Sequence, residues 1–228
     1  MGSVQMKKSV SMRAAFAIGM VVVAGLAVAC APNPNDPEPT PTTSTIPWED
    51  PTGQWTGFTM SCEADVFGTK YPFTQPATVN VNTPSTVVQG STFEMIVAPG
   101  PFVIPTDVSG YALAAMSDIT IRFPLSPNLT WVDGVMSAST NTGTGYPSIT
   151  FDGTDVVYKV PGPFTPGATV QMPLVKLQVT ASGPVGSSAE VKMRSLSATA
   201  TVAILGVPSV CTPPNQVFGT TTITGAAT

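Results

Sequence analysis

The sequence predicts an all-β protein: an immunoglobulin-like antiparallel β-sandwich forming a single domain over residues 54–228. Ahead of it stand a signal peptide, residues 1–29, and a disordered Pro/Thr-rich linker, residues 30–53. Three observations carry the fold prediction. Charged residues are scarce at 10%, while Gly and Pro number 20 and 24, a composition suited to short strands joined by turns. From Gln54 onward, apolar and polar residues alternate with period two. No stretch after residue 30 keeps a helical period for three turns, and residues 111–116 (YALAAM) read as one isolated helical turn.

The strands follow from that alternation. Phe93, Met95 and Val97 share one face. Ile119, Ile121 and Phe123 alternate with polar neighbours, as in a half-buried antiparallel strand. Val156, Tyr158 and Val160 form another face, as do Val175, Leu177 and Val179. Val191 with Met193, and Val202 with Ile204, extend the pattern. Turn residues separate the runs. Asp152-Gly153 closes a hairpin with residues 148–151. Pro161-Gly162-Pro163, Pro166-Gly167 and Ser182-Gly183-Pro184 break the chain elsewhere. Pro173 inside an apolar run implies an edge position or a bulge. About ten strands at this spacing argue for a sandwich, and less strongly for a barrel.

The N-terminal segment carries the address. Lys7, Lys8 and Arg13 precede residues 14–29, which hold no charge. A basic stretch followed by a short apolar one is the layout of a secretory signal peptide. As a helix the apolar part would span roughly 24 Å, short of a ~30 Å hydrocarbon core, so a permanent membrane span is the weaker reading. The segment ends Leu26-Ala27-Val28-Ala29-Cys30 and resembles the lipobox of bacterial lipoproteins, in which small residues precede a cysteine that is acylated. The resemblance implies that Cys30 carries a lipid and holds the chain at the outer face of the cell membrane or cell envelope. That family places Leu where this chain has Ala27, so ordinary cleavage after Ala29 is the competing reading. The proline-dense tract that follows cannot bury enough surface to fold and suits an extended tether.

Cysteine arithmetic leaves a pair. With Cys30 set aside, Cys62 and Cys211 remain, and an exported context predicts a disulfide between them. Neither has a C-x-x-C neighbour, which argues against redox catalysis.

Several functions are excluded or weakened. There is no histidine, which removes Ser-His-Asp and Cys-His catalysis and His-ligated zinc. Past the signal peptide the chain holds 6 basic and 13 acidic residues, so nucleic acid is not an expected partner. Carboxylates such as Glu63, Asp65, Glu94, Asp107, Asp118, Asp133, Asp152 and Asp155 could in principle serve a glycoside hydrolase. Asp152 and Asp155 could share a calcium ion, although hairpin chemistry explains them better. Trp48, Trp55, Trp131, Tyr71, Tyr111 and Tyr146 offer aromatic surfaces. Trp131 reads as core. The apolar segment Pro99-Gly100-Pro101-Phe102-Val103-Ile104-Pro105 reads as a loop covering one end of the sandwich or as an exposed patch.

A broader resemblance covers roughly residues 55–224. It runs through Ser61-Cys62-Glu63-Ala64, Pro84-Ser85-Thr86-Val87-Val88-Gln89-Gly90, Pro105-Thr106-Asp107-Val108 and Pro161-Gly162-Pro163-Phe164-Thr165-Pro166-Gly167. It ends with Cys211 and Gly219-Thr220-Thr221-Thr222-Ile223. In order, these motifs resemble an exported β-sandwich lipoprotein family of actinobacteria. The resemblance implies a secreted sandwich and no catalytic residue. The expected role is therefore non-catalytic: a lipid-anchored envelope protein that binds a glycan, lipid or protein partner, or serves structurally, with no cofactor and no metal. The alternatives are a carrier of an apolar ligand, with a cavity lined by residues such as Phe93, Met95 and Ile121, and a carboxylate-dependent glycoside hydrolase.

Overall fold

A computed structural model of the chain describes residues 45–46, 52–108 and 110–226. The signal peptide, Cys30 and Trp48 lie outside the described residues, as does most of the linker.

The first strands in chain order are β1 (Thr45–Ile46), β2 (Trp55–Val66), β3 (Thr69–Asn82), β4 (Thr86–Val88), β5 (Thr92–Pro99), β6 (Phe102–Val103), β7 (Asp107–Val108) and β8 (Tyr111–Pro124). Then come β9 (Leu129–Ser137), β10 (Ser148–Phe151), β11 (Asp155–Val160), β12 (Thr169–Val170) and β13 (Val175–Ala181). The last are β14 (Ser188–Val191), β15 (Ser195–Val202), β16 (Leu205–Thr212) and β17 (Gly219–Thr224). No helix occurs among the described residues. The fold is the all-β antiparallel sandwich that the composition and periodicity predict.

Most strands belong to one folded-over sheet of order β1-β9-β13-β5-β3-β2-β16-β15-β8-β11-β10, with β7 on β8. The β2–β3 hairpin makes the fold-over. β3 pairs with β5 only through Val79–Asn82, near the open end of the hairpin. β2 pairs with β16 only through Ser61–Ala64, toward its tip. One half of the hairpin thus belongs to each layer. The free edges approach each other on the far side, where Trp131 of β9 stacks on Phe151 of β10 at 5.9 Å between ring centroids. Between the layers, Met95, Val97, Leu177 and Val179 face Ile119, Ile121, Val156 and Tyr158 in one buried cluster. Burying such side chains stabilises by roughly 1.5–3 kcal/mol each before the entropy of ordering is subtracted. A smaller sheet, β14-β17-β4, adds Val87 and Ile223 to a separate cluster with Ala181.

The alternation readings at Phe93–Val97, Ile119–Phe123, Val156–Val160 and Val175–Val179 match the buried faces. The hairpin across Asp152-Gly153 also forms, pairing Phe151 with Val156. Other expectations need correction. Residues 111–116 are extended and open β8, because pairing with β15 outweighs the weak local helical pattern. Thr45–Ile46 pairs in parallel with Met136 and Ser137, so the sheet starts inside the stretch read as linker. Val202 and Ile204 share no face: Val202 ends β15, and Ile204 sits in the turn, fully exposed. Met193 follows the end of β14 and takes no part in it.

β3 was not legible as a strand because it contains Pro72 and Pro76. The structure explains how it tolerates them. Both lie in the portion that pairs only with β2, opposite Glu63 and Thr59. The other edge there is free, so a missing N–H breaks no ladder. β8 carries two irregularities against β15, the first where Asp118 takes φ 56°. A left-handed residue at a bulge bends the strand, which helps β8 curve around the interior.

Candidate functional site

The interior is not fully packed. A cavity of about 100 Å³ lies between the layers. Its walls come from both: Ile119, Ile121 and Phe123 of β8 on one side, Phe58 and Val79 of the β2–β3 hairpin on another. Four methionines, Met60, Met116, Met172 and Met193, contribute to the lining. No charged side chain lines it, and the polar side chains there are Gln75, Thr78 and Ser209. Engineered apolar cavities of roughly 150 Å³ admit molecules the size of benzene, so this smaller, partly open apolar space suits a short hydrocarbon group. Methionine adds adaptability, since its unbranched thioether chain can repack around an occupant.

The segment Pro99-Gly100-Pro101-Phe102-Val103-Ile104-Pro105 supplies one wall, with Pro99, Gly100, Phe102 and Pro105 on the cavity. Ile104 is buried and Val103 is exposed, so the segment is a cover with one wet side. The Gly100 N–H donates to the Thr78 carbonyl at 2.8 Å. A Cβ at Gly100 would stand 1.8 Å from Thr78 Oγ1, so only glycine allows this crossing. Of the three residues predicted to line a carrier cavity, Ile121 does so, while Phe93 and Met95 pack elsewhere in the core. Hydropathy alone cannot separate a wall from a filled core, because both are apolar strand faces. The six methionines within residues 54–228 were the available signal.

Cys62 and Cys211 are bonded, and they are direct cross-strand partners on β2 and β16. Both are buried beside Met60, and Cys211 borders the cavity. The disulfide thus ties β2 to its neighbour β16 at the cavity wall.

The two carboxylates of the Asp152–Asp155 turn are engaged by neighbouring groups. Asp152 Oδ1 accepts the N–H groups of Thr154 and Asp155 at 3.1 and 2.8 Å. Its Oδ2 meets Arg122 Nη1 at 2.6 Å. Those backbone bonds, with that of Asp155 foremost, and the Arg122 guanidinium lower the Asp152 pKa to about 2. Asp155 is buried and receives Arg194 Nε at 2.9 Å and Arg122 Nη1 at 3.4 Å. A carboxylate pair held by two guanidinium groups is electrostatically satisfied, which suits neither a calcium site nor general acid–base work. Asp65 pairs with Lys70 at 2.7 Å, and Glu94 lies 4.0 Å from Lys176. Tyr158 is buried; its hydroxyl donates to the Pro173 carbonyl at 3.0 Å, and burial pushes its pKa well up. That bond uses the segment between β12 and β13 in which Pro173 sits.

A second hollow of about 290 Å³ lies at the tip end of the β2–β3 hairpin. Phe67, Tyr71, Tyr111 and Leu205 border it, and it shares Val108 and Ala200 with the interior cavity. Two of the predicted surface aromatics, Tyr71 and Tyr111, therefore meet, whereas Tyr146 and Trp55 are exposed and do not border this hollow. Trp131 is partly buried against the core, as read from its neighbours in sequence.

No family model matches the chain, and no curated protein matches it. Among solved structures, the chain is similar to a crystal structure described as a membrane-anchored protein of Corynebacterium diphtheriae, with 16% identity and a TM-score of 0.54. The match covers 76% of this chain and 38% of that one, so this chain corresponds to well under half of its neighbour's length. A non-cellulosomal cohesin from Archaeoglobus fulgidus (11% identity, TM-score 0.37) matches over 64% of this chain and 91% of its own. A cohesin module of a Clostridium perfringens family 33 glycoside hydrolase (12%, TM-score 0.35) matches over 65% and 97%. The likeness to the Corynebacterium protein is one of fold.

Proposed function

We propose that this protein is a non-catalytic binding module of the cell envelope, exported by its N-terminal segment, anchored through a lipid on Cys30, and built to hold an apolar ligand between its sheets. The observation that supports the ligand class is the cavity: an uncharged, methionine-bearing space inside a disulfide-closed sandwich. A buried apolar surface with no partner atoms forfeits dispersion energy, and an acyl or alkyl group would restore it. The neutralisation of Asp152 and Asp155 by Arg122 and Arg194 counts against their use as the carboxylate pair of a glycoside hydrolase. On this reading the envelope partner is a lipid, in preference to a glycan or a protein.

Native mass spectrometry of the exported protein tests the reading. Its expected result is a bound apolar species that the short alkanol 1-butanol displaces. Ala198→Leu projects bulk into the cavity from β15 and is expected to abolish that species. A chain that carries nothing and takes up no butanol would falsify the proposal. The anchor is tested separately: the mature protein should carry acyl mass on its N-terminal cysteine, which Cys30→Ser removes, and an unmodified Cys30 would refute the anchor.

A further inference from the structure

Three hairpin tips gather at one end of the sandwich, and all present apolar side chains to solvent. In the β2–β3 tip, Val66 pairs with Thr69 around Phe67 (φ 52°) and Gly68 (φ 84°). That two-residue turn ordinarily takes Asn-Gly, because its first position needs the left-handed conformation. Here it holds phenylalanine, 85% exposed. In the β15–β16 tip, Val202 pairs with Leu205 around Ala203 (φ 54°) and Ile204, which is 100% exposed. In the β7–β8 tip, Val108 pairs with Tyr111, which is 61% exposed. Placing bulky apolar groups at the positions of turns that favour small polar ones opposes both local conformation and hydration. Such a placement needs an apolar environment to receive it.

We infer that this end is a bilayer-contact face: Phe67 and Ile204 insert among lipid acyl chains, and Tyr71 and Tyr111 sit at headgroup level around the hollow. Four observations select a lipid surface. The apolar groups sit on projecting tips around a hollow, a shape that suits insertion into a deformable medium. Tyrosines stand behind the tips, as interfacial aromatics do. The hollow itself is lined by apolar and aromatic residues alone, including Val66, Val108, Val202 and Val207, which suits acyl chains. The charged groups at this end, Glu63, Asp65, Lys70 and Asp107, are acidic on balance, with Lys70 engaged by Asp65. Contact therefore relies on insertion and not on anionic headgroups.

Chain length permits the contact. One ladder rung joins Thr45, Met136, Val175, Val97 and Val81, at the end of the β2–β3 hairpin away from its tip. Twelve residues of β2 span roughly 40 Å toward that tip. From Cys30 to Thr45 is 15 residues, with a maximal reach of about 50 Å. A chain anchored at Cys30 can thus turn its tips to the membrane that holds it.

This inference deepens the apolar-ligand reading and is tested apart from it. The exported Cys30→Ser chain, which carries no acyl group, is floated with phosphatidylcholine vesicles. It is expected to co-float, with less than twofold change between low and high salt. The double variant Phe67→Ser/Ile204→Ser is expected to reduce the bound fraction at least tenfold while its melting temperature stays unchanged. A Phe67→Trp reporter should show added emission that shifts to the blue on vesicles and is quenched by brominated acyl chains. Failure of the parent chain to float, binding by the double variant within twofold of the parent, or an unquenched reporter overturns the inference. So does concentration-dependent dimerisation that the double variant abolishes without any vesicle binding, which assigns the face to a second copy. Vesicle binding by a chain that holds no apolar ligand keeps the contact face and removes the cavity reading, so the two failures are distinguishable.

Discussion

The acid–arginine cluster and the interior cavity sit on opposite sides of the same strand, and they teach opposite lessons. β8 sends Arg122 outward to Asp152 and Asp155, and sends Ile121 and Phe123 inward to the cavity. In sequence, Asp152-Gly153-Thr154-Asp155 is the stretch that looks like chemistry. In space its oxygens are occupied by Arg122, Arg194 and two backbone N–H groups. The inward residues look like ordinary core, yet they leave room. Polarity marks where a fold must satisfy itself, whereas capacity for a ligand shows where a fold stays unsatisfied.

Four measurements break or sharpen that contrast, and the largest effect belongs to the disulfide at the cavity wall. Its sequence separation of 149 residues corresponds to about 5 kcal/mol on the chain-entropy model. Cys62→Ala/Cys211→Ala should lower denaturant stability by up to that amount; an unchanged unfolding midpoint would show that β2 and β16 hold together without it. Next is Asp155→Ala, which removes a buried carboxylate from between two arginines. It should cost about 1–2 kcal/mol, discounted for the partly exposed guanidinium groups, and leave apolar-ligand binding intact. Ligand loss in that variant would mean that the two regions are coupled. Ala198→Leu should do the reverse, removing the ligand while shifting stability by less than about 1.5 kcal/mol. A large loss of stability there would show the wall to be already tightly packed.

The smallest effect is a pH dependence. Asp152 has its folded pKa lowered from 3.8 to about 2. A depressed carboxylate contributes stability that is present above pH 4 and is lost as pH falls toward 2. In a comparison of parent and Asp152→Asn unfolding between pH 6 and pH 2, the gap should be widest at the high end and close at the low end. A gap independent of pH would sever the link between this carboxylate and its partners.

Legibility followed locality. The faces around Met95, Ile121, Tyr158 and Leu177 were readable because alternation depends only on neighbours i and i+2. β3 was hidden by Pro72 and Pro76, whose acceptability depends on which edge of the strand is free. The β1 pairing with β9 was invisible because two residues show no period. At residues 111–116 a short apolar run suited helix and strand alike, and β15 decided between them. Tyr71 and Tyr111 are far apart in the sequence, and their meeting depends on three tips arriving at one end.

By itself the sequence determined the fold class, the two-residue periodicity, the absence of imidazole chemistry and the acidic balance, since each follows from composition or from near neighbours. It also raised the Cys62–Cys211 pairing, because parity and an exported context leave few choices. Only the tertiary structure decided that the hairpin β2–β3 joins two layers, that the carboxylates answer to arginines, and that apolar faces enclose space without filling it. The physical reason is that packing is a property of several strands at once. A residue's hydropathy states that it will avoid water, and the distance to the opposite wall determines whether another molecule can share that shelter.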